Sequence, residues 1–275
     1  TCPACLLLPH FFVQFVHQMQ FPCTAASTPV YLFIPNIIGY IRAALLLTCI
    51  TIHYTYTPTN TTSPFPFAIP QKSAAFFTAY FIGGWLDTLD GYTARKLGQS
   101  SKFGALLDMV VDRCSSAFLL CLFVGAHARQ PARAAAGAFS LVLDIASHFA
   151  VVSATLLRRK QSHKDMRSSA PFLLRLYYRS RFVLGFLCAS FEGFLLGSYM
   201  VSTLTAEGGE ASHPTLLWGF RTFVSLCSPG AALKSVISVL QLVNACREII
   251  QVDERQRAAD AAAAARADKA AASPP

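Results

Sequence analysis

Long apolar runs constrain this chain more than any other feature. Six are visible: Pro35–Tyr54, Ser73–Lys96, Gly104–Ala126, Ala135–Leu157, Phe182–Leu204 and Thr215–Ala245. A helix needs about 20 predominantly apolar residues to cross a hydrocarbon core about 30 Å thick, and every run reaches that length. The expected fold class is therefore all-α, a polytopic membrane protein with six transmembrane helices. Composition agrees. Of 275 residues, 53% are hydrophobic and only 13% charged, against about 25% charged in an ordinary soluble domain. The net charge of +9 would suggest nucleic acid in a soluble protein. Here the bases gather between the runs, which points to the membrane surface and an anionic substrate instead.

The segments between the runs set the expected topology. Arg158–Arg181 (RRKQSHKDMRSSAPFLLRLYYRSR) carries eight Lys or Arg and one Asp, whereas Ala206–His213 (AEGGEASH) carries two Glu and no Lys or Arg. By the positive-inside bias, the basic segment faces the cytoplasm with both termini. The acidic segment and the Thr- and Pro-rich loop Thr55–Lys72 face the other side. Arg129 and Arg133 fall on that other side and oppose the bias slightly. Asn60–Thr62 (NTT) matches a glycosylation sequon, a pattern of only three residues. Pro35 suits the first turn of a helix, while Pro229-Gly230 should break or kink the last run. The Ala-rich tail, residues 251–275, has no apolar stripe to bury and is expected to fray. Residues 1–29 form an extension without a clear signal-peptide pattern, leaving 30–250 as the membrane domain. Of nine Cys, Cys114, Cys121, Cys188, Cys227 and Cys246 read as small buried hydrophobes. The CPAC at Cys2–Cys5 has neither a partner pair nor a strand-helix context.

Against this apolar background lies Asp87–Asp112, DTLDGYTARKLGQSSKFGALLDMVVD. Asp87 and Asp90 are spaced i, i+3 near the end of the second run. Asp108 and Asp112 are spaced i, i+4 near the start of the third. Both spacings put the pair on one helix face. The short connection makes the two helices antiparallel neighbours, so all four carboxylates can converge near the cytoplasmic ends. One acid at a helix end can simply reach water, but four converging acids repel one another. A divalent cation removes the conflict. Carboxylate-only ligation suits hard ions such as Mg²⁺ or Mn²⁺, and four Asp suffice for two ions. Gly91, Ala94 and Gly104 are small, which leaves room for a ligand or allows close helix packing; beside four Asp the ligand is favoured. Arg95 and Lys102 can hold phosphate oxygens, the Arg in bidentate fashion. Metal, Arg and small residues at a membrane surface point to phosphoryl chemistry on a lipid-borne phosphate.

The pattern D..DG..AR........G...D...D is matched at every fixed position, by Asp87, Asp90, Gly91, Ala94, Arg95, Gly104, Asp108 and Asp112. It resembles the signature of the CDP-alcohol phosphatidyltransferase family. Further blocks resemble the inositol-using eukaryotic members of that family: FIPNIIGYIR (Phe33–Arg42), GQSSKFGALLDMVVDRC (Gly98–Cys114), LDIASH (Leu143–His148), SHK (Ser162–Lys164), LRLYYRSR (Leu174–Arg181) and ALKSVIS (Ala232–Ser238). The resemblance covers roughly residues 30–250. Residues 1–29 have no counterpart, and the loop Thr55–Gln71 is longer than is usual in the family. The resemblance implies six spans around a polar active-site cavity open to the cytoplasmic side. It implies that CDP-diacylglycerol binds with its diphosphate on Mg²⁺ or Mn²⁺, that myo-inositol attacks the phosphorus attached to diacylglycerol, and that CMP leaves. Asp87, Asp90, Asp108 and Asp112 would be metal ligands, and Asp112 also the general base. Gly91, Arg95 and Ser101 would contact the nucleotide substrate. The membrane implied is that of the endoplasmic reticulum or the Golgi, and homodimers are common in the family.

Other polar residues leave more open. Arg175, Tyr177, Tyr178, Arg179 and Arg181 offer donors for a polyol, and equally a positive-inside anchor with an aromatic belt. Asp144 and His148, a helical turn apart, are expected to pair with each other. Glu192 is an intramembrane acid, functional by default. Asn36 and Arg42, near the cytoplasmic end of the first run, could support the metal site or a headgroup. Two alternatives stand beside the leading reading. One is a family sibling using another alcohol (glycerol phosphate, serine or choline), which the core motif alone does not exclude. The other is a cation transporter. Transporters show repeats and broken helices at mid-membrane, whereas here the acids gather at one face and no repeat is visible.

Overall fold

The computed structural model describes residues 28–55, 71–158, 171–206 and 209–271. Among them all regular structure is helical, with no strand, as segments that must satisfy their own backbone in an apolar medium require. A 3-10 turn, Val30–Leu32, precedes α1 (Ile34–Thr55), α2 (Gln71–Lys96), α3 (Lys102–Ala126) and α4 (Pro131–Arg158). Then come the short α5 (Phe172–Arg179), α6 (Arg181–Ala206), a single turn at Gly209–Ser212, and α7 (Pro214–Ala271). Each of the six apolar runs lies within one long helix. Five of these, α1, α3, α4, α6 and α7, are long and apolar enough to cross a membrane, which makes the chain an integral membrane protein. α2 has the length, 26 residues, but carries Asp87, Asp90, Arg95 and Lys96 in its last three turns and falls outside that set.

The chain divides into two compact units. The first takes residues up to 122 together with 196–222. Here α1 and α2 pack against each other, and an aromatic cluster fills the interior. The Phe76 ring, fully buried, lies 4.2 Å from that of Tyr199 and 6.2 Å from that of Phe118, centroid to centroid. The Tyr199 hydroxyl sits 3.2 Å from His53 Nδ1, and the Cys49 thiol donates to the Phe76 carbonyl. Each such ring pair contributes about 0.5–1.5 kcal/mol beyond its area burial. Elsewhere in this unit α1 approaches α3 very closely: a Cβ placed on Gly39 would lie 2.7 Å from Leu107 Cδ2.

The second unit takes residues 123–195 and 223 onward. Leu174 and Tyr177 of α5, Leu187 of α6 and Ile237 of α7 form one core cluster, and Ala150 and Ala154 of α4 with Ala245 of α7 form another. α5 is amphipathic. Leu174 and Tyr177 point inward, while Phe172, Arg175, Tyr178 and Arg179 stay exposed.

Three sequence expectations need correction. α7 runs unbroken through Pro229. Proline there leaves the Ser225 carbonyl without its usual N–H donor, and the Ser228 hydroxyl donates to that carbonyl at 2.9 Å. α7 also continues through the Ala-rich tail to Ala271, exposed from Asp253 to Arg266. Ala has the highest helix propensity, and a helix already nucleated by packing extends readily. Cys114, Cys121 and Cys246 are exposed rather than buried, because they lie on outward faces of long apolar helices. The CPAC pair, the Asn60–Thr62 sequon, residues 159–170 of the basic segment and residues 207–208 of the acidic one lie outside the described residues.

Two outcomes test this frame, both read as thermal midpoints in detergent. Ser228→Ala is expected to cost about 0.5–1.5 kcal/mol by removing one hydrogen bond to the Ser225 carbonyl, and to cost little when Pro229→Ala restores the backbone donor. Truncation after Val252 is expected to leave the midpoint unchanged.

Candidate active site

α2 and α3 are joined by five residues, Leu97–Ser101, that cap both helices. Gly98 adopts φ +63°, the left-handed position just past a helix end that favours Gly. The Gln99 N–H donates back to the Ala94 carbonyl at 3.0 Å, the longer of the two bonds of a Schellman end. At the other side of the turn the Ser101 hydroxyl accepts the Gly104 N–H at 2.9 Å, an N-cap for α3. Gln99 Oε1 accepts the Ile34 N–H at 2.9 Å and so ties the turn to the start of α1. A turn this short sets the two acid pairs at the same level.

All four carboxylates converge, and the point of convergence is Arg42 of α1. Its Nη1 lies 2.6 Å from Asp90 Oδ2 and 2.8 Å from Asp108 Oδ1. Its Nη2 lies 2.5 Å from Asp87 Oδ1 and 2.5 Å from Asp112 Oδ1. Arg42 and Asp90 are buried, whereas the side chains of Asp87, Asp108 and Asp112 are between 34% and 47% exposed. Oxygens of Asp87, Asp90 and Asp108 lie within 4.8 Å of one another, close enough for one ion to bridge. A cationic group already takes one oxygen from each of four acids at that point, and an all-carboxylate donor set is what hard divalent cations prefer. The residues present therefore fit such an ion.

Beside this cluster opens a pocket of about 180 Å³, walled by residues of α1, α2, α3 and their turn. Asp90 and Asp108 belong to its wall, with Gly91, Ala94, Arg95, Ser101, Gly104 and Asn36. The Arg95 guanidinium lies over Gly91, 3.4 Å from where a Cβ would sit. Among the described residues Arg95 pairs with no carboxylate. Gly104 has a different role: a Cβ there would lie 2.6 Å from Asn36 Oδ1, so this glycine lets α1 approach α3. Asn36 is buried and donates from Nδ2 to the Val30 carbonyl at 2.5 Å.

The seven residues expected to act thus lie together, Asp87, Asp90, Asp108 and Asp112 on Arg42, and Asp90, Gly91, Arg95, Ser101 and Asp108 on the pocket wall. Lys102 is exposed and outside that wall. His148 Nδ1 lies 3.4 Å from Asp144 Oδ1, the expected pairing. In the second unit the Tyr178 hydroxyl accepts from Gln241 Nε2 at 2.7 Å, and Lys234 Nζ sits 5.8 Å from the Tyr177 ring centre. Arg42 is the residue whose weight motif reasoning missed. It was expected only as a support for the metal site or a headgroup, although a guanidinium inside an apolar run must find counter-charge.

The pattern of a family described as CDP-alcohol phosphatidyltransferase matches residues 32–203. The chain is similar to the CDP-diacylglycerol–inositol 3-phosphatidyltransferase of Schizosaccharomyces pombe, 34% identical over 248 residues, covering 84% of this chain and 94% of that protein. It is similar to the proteins of the same name from Rattus norvegicus and Homo sapiens, each 34% identical over 229 residues, covering 83% of this chain and 96% of theirs. No solved structure matches it.

The close approach at Gly104 is testable. Gly104→Ala is expected to cost about 1–3 kcal/mol by overpacking, and Asn36→Ala in the same chain to recover part of it. Thermal midpoints in detergent measure both. A single Gly104→Ala variant as stable as the parent would show that this contact does not set the α1–α3 distance.

Proposed function

We propose that this chain, which belongs to the CDP-alcohol phosphatidyltransferase family, makes phosphatidylinositol from CDP-diacylglycerol and myo-inositol with release of CMP. The observation that carries this reading is the convergence of Asp87, Asp90, Asp108 and Asp112 on one cation position beside a pocket walled by Gly91, Arg95 and Ser101. The choice of inositol rests on the relatives' names. The membrane domain spans residues 30–250 with α2 as a sixth span, a reading that the length of the apolar runs supports, and the loop charges support a carboxylate end that faces the cytoplasm. The bilayer is that of the endoplasmic reticulum or Golgi, where a homodimer is the expected assembly.

In the proposed mechanism the four Asp would hold two ions, Mg²⁺ or Mn²⁺, which would offset the diphosphate charge and acidify an attacking hydroxyl. Arg95 takes phosphate oxygens of the nucleotide in its planar fork. Gly91, without a side chain, lets the nucleotide approach the α2 backbone. The Ser101 oxygen accepts the Gly104 N–H, which leaves the Ser101 O–H to donate to the nucleotide. The Asp112 carboxylate, 34% exposed, accepts the proton of an inositol hydroxyl as that oxygen bonds to the phosphorus attached to diacylglycerol. The bond from that phosphorus to the CMP oxygen breaks, and CMP leaves with the electron pair.

Purified protein with CDP-diacylglycerol, Mg²⁺ or Mn²⁺ and a panel of alcohols is expected to release CMP with inositol. Release with glycerol phosphate and none with inositol would sink the reading. Asp112→Asn is expected to lower turnover by about 10²–10⁴, the usual worth of a general base, while CDP-diacylglycerol still binds. Near-normal turnover in that variant would remove the base from Asp112.

A further inference from the structure

Arg42 lies outside the eight-residue motif, yet its guanidinium contacts all four carboxylates of the site. We infer that Arg42 is the resident counter-cation of this site: it holds the position a divalent ion takes, competes with that ion, and gives way when the ion binds. The inference rests on the metal-site part of the proposed function, and concerns how that site is loaded.

Geometry makes the competition direct. The two terminal nitrogens sit 2.5–2.8 Å from one oxygen of each Asp. An ion such as Mg²⁺ needs oxygens at about 2.0–2.1 Å. An ion that bridges these oxygens from the guanidinium's side would overlap the nitrogens already seated between them. Charge acts in the same direction. Four carboxylates and one guanidinium sum to three negative charges, and a retained guanidinium beside a dication adds like-charge repulsion where water screens little. Arg42 is only 5% exposed, so without metal it has little water to replace the carboxylates. Loading has a route. Arg42 uses one oxygen of each carboxylate, and Asp87, Asp108 and Asp112 remain 34–47% exposed. An incoming ion would meet these three exposed carboxylates before the buried Arg42 and Asp90.

A purely organising role for Arg42 predicts the opposite behaviour. If the guanidinium served only to gather the ligands, removing it would weaken metal binding. The test is Mn²⁺ binding to the purified full chain, followed by electron paramagnetic resonance of free Mn²⁺. Arg42→Met is expected to bind Mn²⁺ at least tenfold more tightly than the parent. Its thermal midpoint in chelator is expected to fall below the parent's and to rise further on adding Mn²⁺. Arg42→Lys keeps the charge but cannot span four acids, and is expected to bind a few-fold more tightly; it carries the test if the Met variant does not fold. Unchanged or weaker Mn²⁺ binding in the folded variants overturns the inference. Asp90→Asn separates the two levels of the argument. It should abolish tight Mn²⁺ binding with either residue at position 42, and if tight binding persists, the metal-site reading falls and this inference with it.

Discussion

One guanidinium joins α1, α2 and α3 through four carboxylates, and the candidate site is arranged around that contact. In an apolar chain a charge must be paired or reach water, because bringing an ion out of water costs several kcal/mol even after relaxation. Arg42 and Asp90 are buried; the other three acids keep an open side. The cluster is thus anchored at one edge and accessible at the other. That asymmetry suits a site that must be structured before its ligand arrives and still admit it.

Backbone chemistry, more than hydrophobicity, delivers the acids to that point. Gly98 ends α2 in the left-handed region, and Ser101 begins α3 as its cap. The reversal takes five residues and sets Asp87 and Asp90 level with Asp108 and Asp112. Gly39 and Gly104 then let α1 come close enough for Arg42 to reach both pairs. The small residues of the motif divide their work. Gly104 serves helix approach, while Gly91 lies under the Arg95 guanidinium on the pocket wall.

The helical frame follows the physics of an apolar solvent. Phe149, Phe182 and Leu226 are largely exposed, which would be a liability in water and is natural against lipid. Breaks in the pattern are repaired locally. Ser228 supplies the Ser225 carbonyl with the donor that Pro229 lacks, so a residue that reads as a helix breaker sits inside an unbroken helix. The Ala-rich tail shows the converse: intrinsic propensity alone carries α7 well beyond its packed part.

The sequence by itself determined the helical class, the start of each long apolar helix to within a few residues, and the two acid pairs. These are local properties, set by the length of apolar runs and by spacings of three and four on a helix. It also placed Gly91, Arg95 and Ser101 beside the acids, because all three lie within the same 26 positions. Tertiary structure alone decided that Arg42 stands at the centre of the four acids, since no spacing links it to Asp112, 70 residues away. It decided that Gly104 faces Asn36, and that Pro229 breaks nothing. Each of these depends on what a neighbouring group supplies across space, a counter-charge, a gap or a hydrogen-bond donor. Periodicity along one chain records the faces of helices but not which face meets which.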